Sequence, residues 1–118
     1  MDYSKLSDFE INKRVAILLS PELASRECYD ISGRAVFHDK SGTCGFSYIS
    51  DPADAWPIIA ENEISIIFNW NEDGLHGATN QPWISSENSN PLRAAMECFL
   101  LMQESSNVQA NPARPDIL

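Results

Sequence analysis

Asn90-Pro91-Leu92-Arg93-Ala94-Ala95-Met96-Glu97-Cys98-Phe99-Leu100-Leu101-Met102-Gln103-Glu104 is the stretch that decides the fold. Asn before Pro is a helix-start signal. The Asn side chain can accept from the first free amides, and proline at the first helical position lacks only an N–H that would have had no partner. This predicts a helix from Pro91 to about Glu104. At ~100° per residue, Leu92, Ala95, Met96, Phe99, Leu100 and Met102 share one apolar arc. Ala94, Cys98 and Leu101 carry that arc well past half the circumference, leaving Arg93, Glu97 and Glu104 as the polar stripe. A surface helix needs an apolar stripe only somewhat wider than ~100°. This helix must therefore bury two sides, either in the middle of the fold or between two copies of the chain. Ala94, Cys98 and Leu101 are the candidate contacts of such a homodimer.

Upstream, Ser7-Asp8-Phe9-Glu10 has the form of a capping box, with Leu6 and Ile11 as its hydrophobic staple. Ile11, Val15, Leu18 and Leu19 then recur with helical spacing, and Lys13 and Arg14 fall on or near the solvent side. Ser20-Pro21 ends the helix, because the residue before proline is pushed out of the α region. The predicted helix covers 7–19. Asp51-Pro52-Ala53-Asp54 opens another, with Asp51 as N-cap and Trp56, Ile59 and Ala60 as its buried stripe. Pro57 there removes a donor, so this helix should be short, kinked, or begin near Asp54.

Strands fill the rest. Arg34–His38 and Thr43–Ile49 pair across Asp39-Lys40-Ser41-Gly42, with Cys44, Phe46 and Tyr48 alternating onto one face. From Glu63 a strand puts Ile64, Ile66, Phe68 and Trp70 on one side. Asn71-Glu72-Asp73-Gly74 turns it, and Leu75–Thr79 returns antiparallel. Residues 21–33 are weakly periodic, a loop with one helical turn. The expected fold is α+β: three helices on one face of a small, mainly antiparallel sheet of three to four strands. Residues 1–104 form a single domain, and the polar, proline-bearing residues 105–118 a mobile tail.

Composition narrows the function. The chain has 118 residues, 43% of them hydrophobic, enough for one core without disulfides or a metal. No apolar run approaches the ~18 to 20 residues of a membrane span, so no membrane partner is expected. Met1-Asp2-Tyr3-Ser4-Lys5 does not begin a secretory signal, and Cys28, Cys44 and Cys98 are an odd count without a CxxC pair. Both point to free thiols in the cytoplasm. Net charge is −9, and residues 41–118 carry ten acids against only Arg93 and Arg114. Nucleic-acid affinity draws on cations replacing counterions along the phosphates, so direct binding to DNA or RNA is disfavoured.

Three segments carry a resemblance. They are Asp2-Tyr3-Ser4-Lys5-Leu6-Ser7-Asp8-Phe9-Glu10-Ile11-Asn12, then Asp51-Pro52-Ala53-Asp54-Ala55-Trp56-Pro57-Ile58-Ile59 leading to Ile64-Ser65-Ile66, and Asn90-Pro91-Leu92-Arg93-Ala94-Ala95-Met96. In this order they resemble the NinX-like family, small proteins of tailed phages and of prophages in enterobacterial genomes, over most of residues 2–104. The resemblance implies expression inside an infected or lysogenic bacterium. It brings no activity, cofactor or catalytic residue.

The constellations that could carry chemistry have structural explanations. Asn69-Trp70-Asn71-Glu72-Asp73-Gly74 imitates the start of a calcium loop, but position twelve is Asn80 instead of a bidentate Glu and a strand precedes it, so it reads as a turn. Cys28, His38, Cys44 and His76 match no zinc spacing, and no residue beside the cysteines activates a thiolate. Asp51 and Asp54 are a carboxylate pair that helix capping accounts for. Phosphate-binding glycine loops and a serine-hydrolase elbow are absent. No metal, cofactor or catalytic residue is therefore expected.

Trp83 and Ile84, in a polar loop, and the acidic turn residues Glu72 and Asp73 are the candidate partner-binding residues. The alternative for Trp83 is that its loop folds back and the indole caps the core. The leading expectation is a non-enzymatic accessory protein that binds a host or phage protein, as a homodimer. The alternatives are an acidic, DNA-mimicking inhibitor of a host nucleic-acid-binding protein, and a small-molecule enzyme, for which no residue set is apparent.

Overall fold

The computed structural model describes residues 1–80 and 84–109. After a 3-10 turn at Tyr3–Lys5 come α1 (Asp8–Leu19), a second 3-10 turn (Pro21–Ser25), and strands β1 (Cys28–Ile31), β2 (Arg34–Asp39) and β3 (Gly42–Phe46). Helix α2 (Pro52–Glu61) leads to β4 (Ser65–Ile67), β5 (His76–Asn80), β6 (Ile84–Asn88) and α3 (Pro91–Gln109). The fold is α+β, as expected, but the strands form two sheets in place of one. Each is an antiparallel meander, β1-β2-β3 and β4-β5-β6, and α2 separates β3 from β4 in the chain.

Each sheet is completed by a strand that has no apolar alternation. In β1 only Cys28 is half-buried, and Tyr29, Asp30 and Ile31 are exposed. In β6 the half-buried positions are Ile84, Ser86 and Asn88, alternating with exposed Ser85 and Glu87. The inward face of β6 is polar because it meets a polar residue of α3: the Ser86 hydroxyl donates to Glu97 Oε1 at 3.2 Å.

Helix α1 lies on the first sheet, and α3 lies on the second while also touching α1 and α2. Residues 93–100 are all buried. Ala94 and Cys98 have no exposed surface within the single chain, and Leu101 is half-buried against the core. The wide apolar arc thus runs through the middle of the fold, and no second copy is needed to cover it. Arg93 and Glu97, of the expected polar stripe, are buried as well, at 8% and 3% exposure. Helix α3 continues to Gln109, so residues 105–109, expected in the tail, are helical, and residues 110–118 lie outside the described residues.

A buried cation is tolerated when its donors are used. Arg93 Nε donates to Glu97 Oε2 at 2.8 Å, Nη1 to Asp8 at the start of α1, and Nη2 to the carbonyls of Tyr3 and Leu6. Burial opposes its charge, but the bonds to Glu97 and Asp8 outweigh that and hold its pKa above the usual value. One side chain thereby ties the N-terminal segment to the central helix.

Capping follows the sequence. Ser7 Oγ accepts from the Glu10 amide at 3.1 Å, Asp51 Oδ1 from Ala53, and Asn90 Oδ1 from Leu92 and Arg93. Asp54, the other member of the carboxylate pair, accepts from the Ser47 amide at 3.1 Å. The helix faces are rotated from expectation. In α1, Ile11 and Val15 are buried with Asn12 and Ala16, while Leu18 and Leu19 are exposed. In α2, which accommodates Pro57 internally, Ala55, Ile58 and Ile59 are buried and Trp56 is 65% exposed. Cys44 is exposed and not a core residue, whereas Tyr48 is buried and stacks on Phe46 at 5.7 Å.

Candidate functional site

The strand from Glu63 stops at Ile67, earlier than the apolar alternation suggests. Asn69 takes a left-handed φ of 56°, and from there the chain makes an ordered connection to β5. The Trp70 amide donates to the Leu75 carbonyl at 2.9 Å. Asn71 Oδ1 accepts from the amides of Asp73 and Leu75, and His76 Nδ1 accepts from the Asn69 amide. Gly74, at φ 77°, supplies the second left-handed residue, a conformation glycine adopts without steric cost. Asn71 Oδ1 and His76 Nδ1 are thus committed to the loop's own backbone.

This framework leaves two aromatic residues outside the core. Phe68 is 64% exposed, with its ring edge-on to His76 at 5.3 Å. Trp70 is 39% exposed and lies across β5 so closely that a Cβ at Gly77 would be driven into the indole. Gly77 pairs with Ile67 on one side and Glu87 on the other. Cross-strand partners share a face of the sheet, so Ile67 and Glu87 flank the indole. Glu72, Asp73 and Glu87 are exposed, and Asn71 Nδ2 donates to Glu87 Oε1 at 3.3 Å. Ile67 and Trp70 thus lie with Glu87 on one face of the sheet. Phe68 is exposed against His76, whose side chain alternates to the other face, and exposed Glu72 and Asp73 belong to the same connection.

The residues expected to bind a partner are only partly gathered here. Glu72 and Asp73 stand at the tip of the connection. Ile84 is a half-buried β6 residue packed on the core, and Trp83 lies outside the described residues. Sequence reasoning missed Phe68 and Trp70 by assigning them, with Ile64 and Ile66, to one side of a longer strand. Asn69 and Asn71, bracketing Trp70 before Asp73-Gly74, were the available signal, since such a density of turn formers cannot continue a strand.

The other polar groups are dispersed. Cys28, His38 and Cys44 belong to the first sheet and His76 to the second, and among the described residues no three His, Cys, Asp or Glu side chains gather as a metal site would. Burial pushes the Cys28 thiol up, and that of Cys98 up to about 11, away from the thiolate form a nucleophile needs. No helix among the described residues is long and apolar enough to cross a membrane.

The family model described as "Bacteriophage P22, NinX" matches residues 2–103. Comparison with curated proteins and with solved structures gave no match.

Proposed function

The chain belongs to the bacteriophage P22 NinX family, and from that premise we propose that it is a non-enzymatic phage accessory protein that docks on a host or phage protein in the bacterial cytoplasm. The docking surface is the β4–β5 connection, with Phe68 and Trp70 as anchors. The observation that carries this reading is the exposure of two large aromatic residues, Phe68 and Trp70, on one short connection fixed by its own hydrogen bonds. Preorganised aromatic groups ringed by polar ones are what binding hot spots are made of, because little order is lost on docking. The carboxylates of Glu72, Asp73 and Glu87 select a partner with an apolar socket bordered by Lys or Arg.

Pull-down from infected host lysate with wild type and Phe68→Ala tests this. Truncating a hot-spot aromatic costs about 2 kcal/mol or more, roughly thirtyfold in Kd, so the variant should lose a partner that wild type retains. A partner that Phe68→Ala retains, and that moderate salt releases from both proteins, contradicts the aromatic anchor and favours an acidic surface occupying a nucleic-acid groove.

A further inference from the structure

A concave site lies between α1 and the C-terminal half of α3, with a volume of about 440 Å³. Its apolar wall is Ile17, Leu18 and Leu100, and Lys13 and Arg14 bring positive charge to it. Arg14 stands out in this chain. Its Nε is buried with no hydrogen-bond partner among the described residues, and the four ion pairs among those residues do not include it. A buried guanidinium N–H without an acceptor loses its hydration and receives nothing in return. Of the two acids that line the cavity, Glu104 already receives the Met1 ammonium at 3.3 Å, and Glu10 makes no ion pair with Arg14 among the described residues. The guanidinium at this wall thus lacks a carboxylate partner among the described residues.

We propose that this cavity binds a small monocarboxylate with a short aliphatic body, the carboxylate on Arg14 and the aliphatic part against Ile17, Leu18 and Leu100. The volume lies in the range of small-molecule sites, which are mostly apolar with a few polar groups fixing orientation. The planar guanidinium matches a carboxylate, and a charge-assisted contact there exceeds a neutral one in strength. Glu10 and Glu104 discriminate against a dianion such as phosphate, which would face two nearby negative charges.

The test is a titration of the full chain with octanoate and, separately, octanol, followed by amide chemical shifts. Octanoate should saturably shift amides of residues 13–18 and 100–104, and octanol should bind at least about tenfold more weakly. In Arg14→Gln, octanoate should fall to the affinity of octanol while the melting temperature stays near that of wild type, since Arg14 Nε has no partner to lose. If Arg14→Gln does not fold, the comparison of octanoate with octanol on wild type decides alone. Absence of saturable shifts, shifts confined to other residues, equal binding of the acid and the alcohol, or undiminished binding by folded Arg14→Gln each overturns the proposal.

Discussion

Arg93 and Glu97 stand one turn apart on α3, both buried, with Nε 2.8 Å from Oε2, and the same guanidinium reaches Asp8 and two carbonyls of the N-terminal segment. Removing one member of a buried pair leaves the other charged and uncompensated, which costs about 3–5 kcal/mol. Arg93→Met should be destabilised by about that amount in urea unfolding, a large part of the roughly 5–15 kcal/mol of a domain this size. Arg93→Met/Glu97→Leu should be clearly more stable than the sum of its single variants. Additive losses would mean that the two charges are solvated separately.

Asn12, 1% exposed, holds α1 to the first sheet and to the segment before α2. Nδ2 donates to the Gly33 carbonyl and Oδ1 accepts from the Tyr48 amide, both at 2.8 Å. Asn12→Ala leaves both backbone groups unpaired, at about 2–4 kcal/mol in total. Asn12→Asp can still accept from Tyr48 but, when ionised, cannot donate to Gly33. Its deficit should shrink as pH falls and the carboxyl gains a proton, whereas a deficit independent of pH would place Asn12 elsewhere.

Phe68 is exposed, so Phe68→Ala should change stability by no more than about 0.5 kcal/mol. Gly77→Ala is different, because its methyl group occupies the space of the Trp70 indole. Overpacking of this kind costs about 1–3 kcal/mol, and the displaced indole should shift tryptophan fluorescence to the red. An unshifted spectrum with unchanged stability would show that Trp70 does not lie on β5.

The three cysteines should react in order of burial: exposed Cys44 first, half-buried Cys28 next, and Cys98 only on unfolding. Burial raises the Cys98 thiol from 9.0 to about 11, so above pH 9 the unfolded chain releases this proton before the folded one does. The stability that Cys98 contributes as a neutral thiol is complete below pH 9 and is lost as pH rises toward 11. Tyr48, also raised by burial, adds to the loss at higher pH. Urea midpoints for wild type should fall from pH 8 to pH 10.5, and fall less for Cys98→Ala. Parallel declines would remove Cys98 as a cause.

Much of the architecture was legible where a residue's local chemistry coincided with its tertiary role. Ser7, Asp51 and Asn90 announced three helix starts because capping is a contact within a few residues. The width of the apolar arc on α3 correctly required burial on two sides, but sequence could not say whether a sheet or a second copy covers it. Polar residues with non-local partners were opaque. Arg93 and Glu97 read only as a polar stripe until Asp8 and Ser86 are brought to them, and β6 presents Ser86 inward only because Glu97 awaits it. Phe68 and Trp70 were misplaced for the opposite reason: their apolarity suggests core, and only the turn at Asn69 puts them outside.

The docking surface is tested most directly by placing a photo-crosslinking phenylalanine analogue at position 68, and separately at position 56, in cells infected with the phage. Phe68 and Trp56 are almost equally exposed, at 64% and 65%, so solvent access alone cannot distinguish them. One discrete adduct from position 68, absent from position 56 and abolished by Trp70→Ala, is the expected result. No adduct from position 68, or the same adducts from both positions, would contradict a partner seated on the β4–β5 connection.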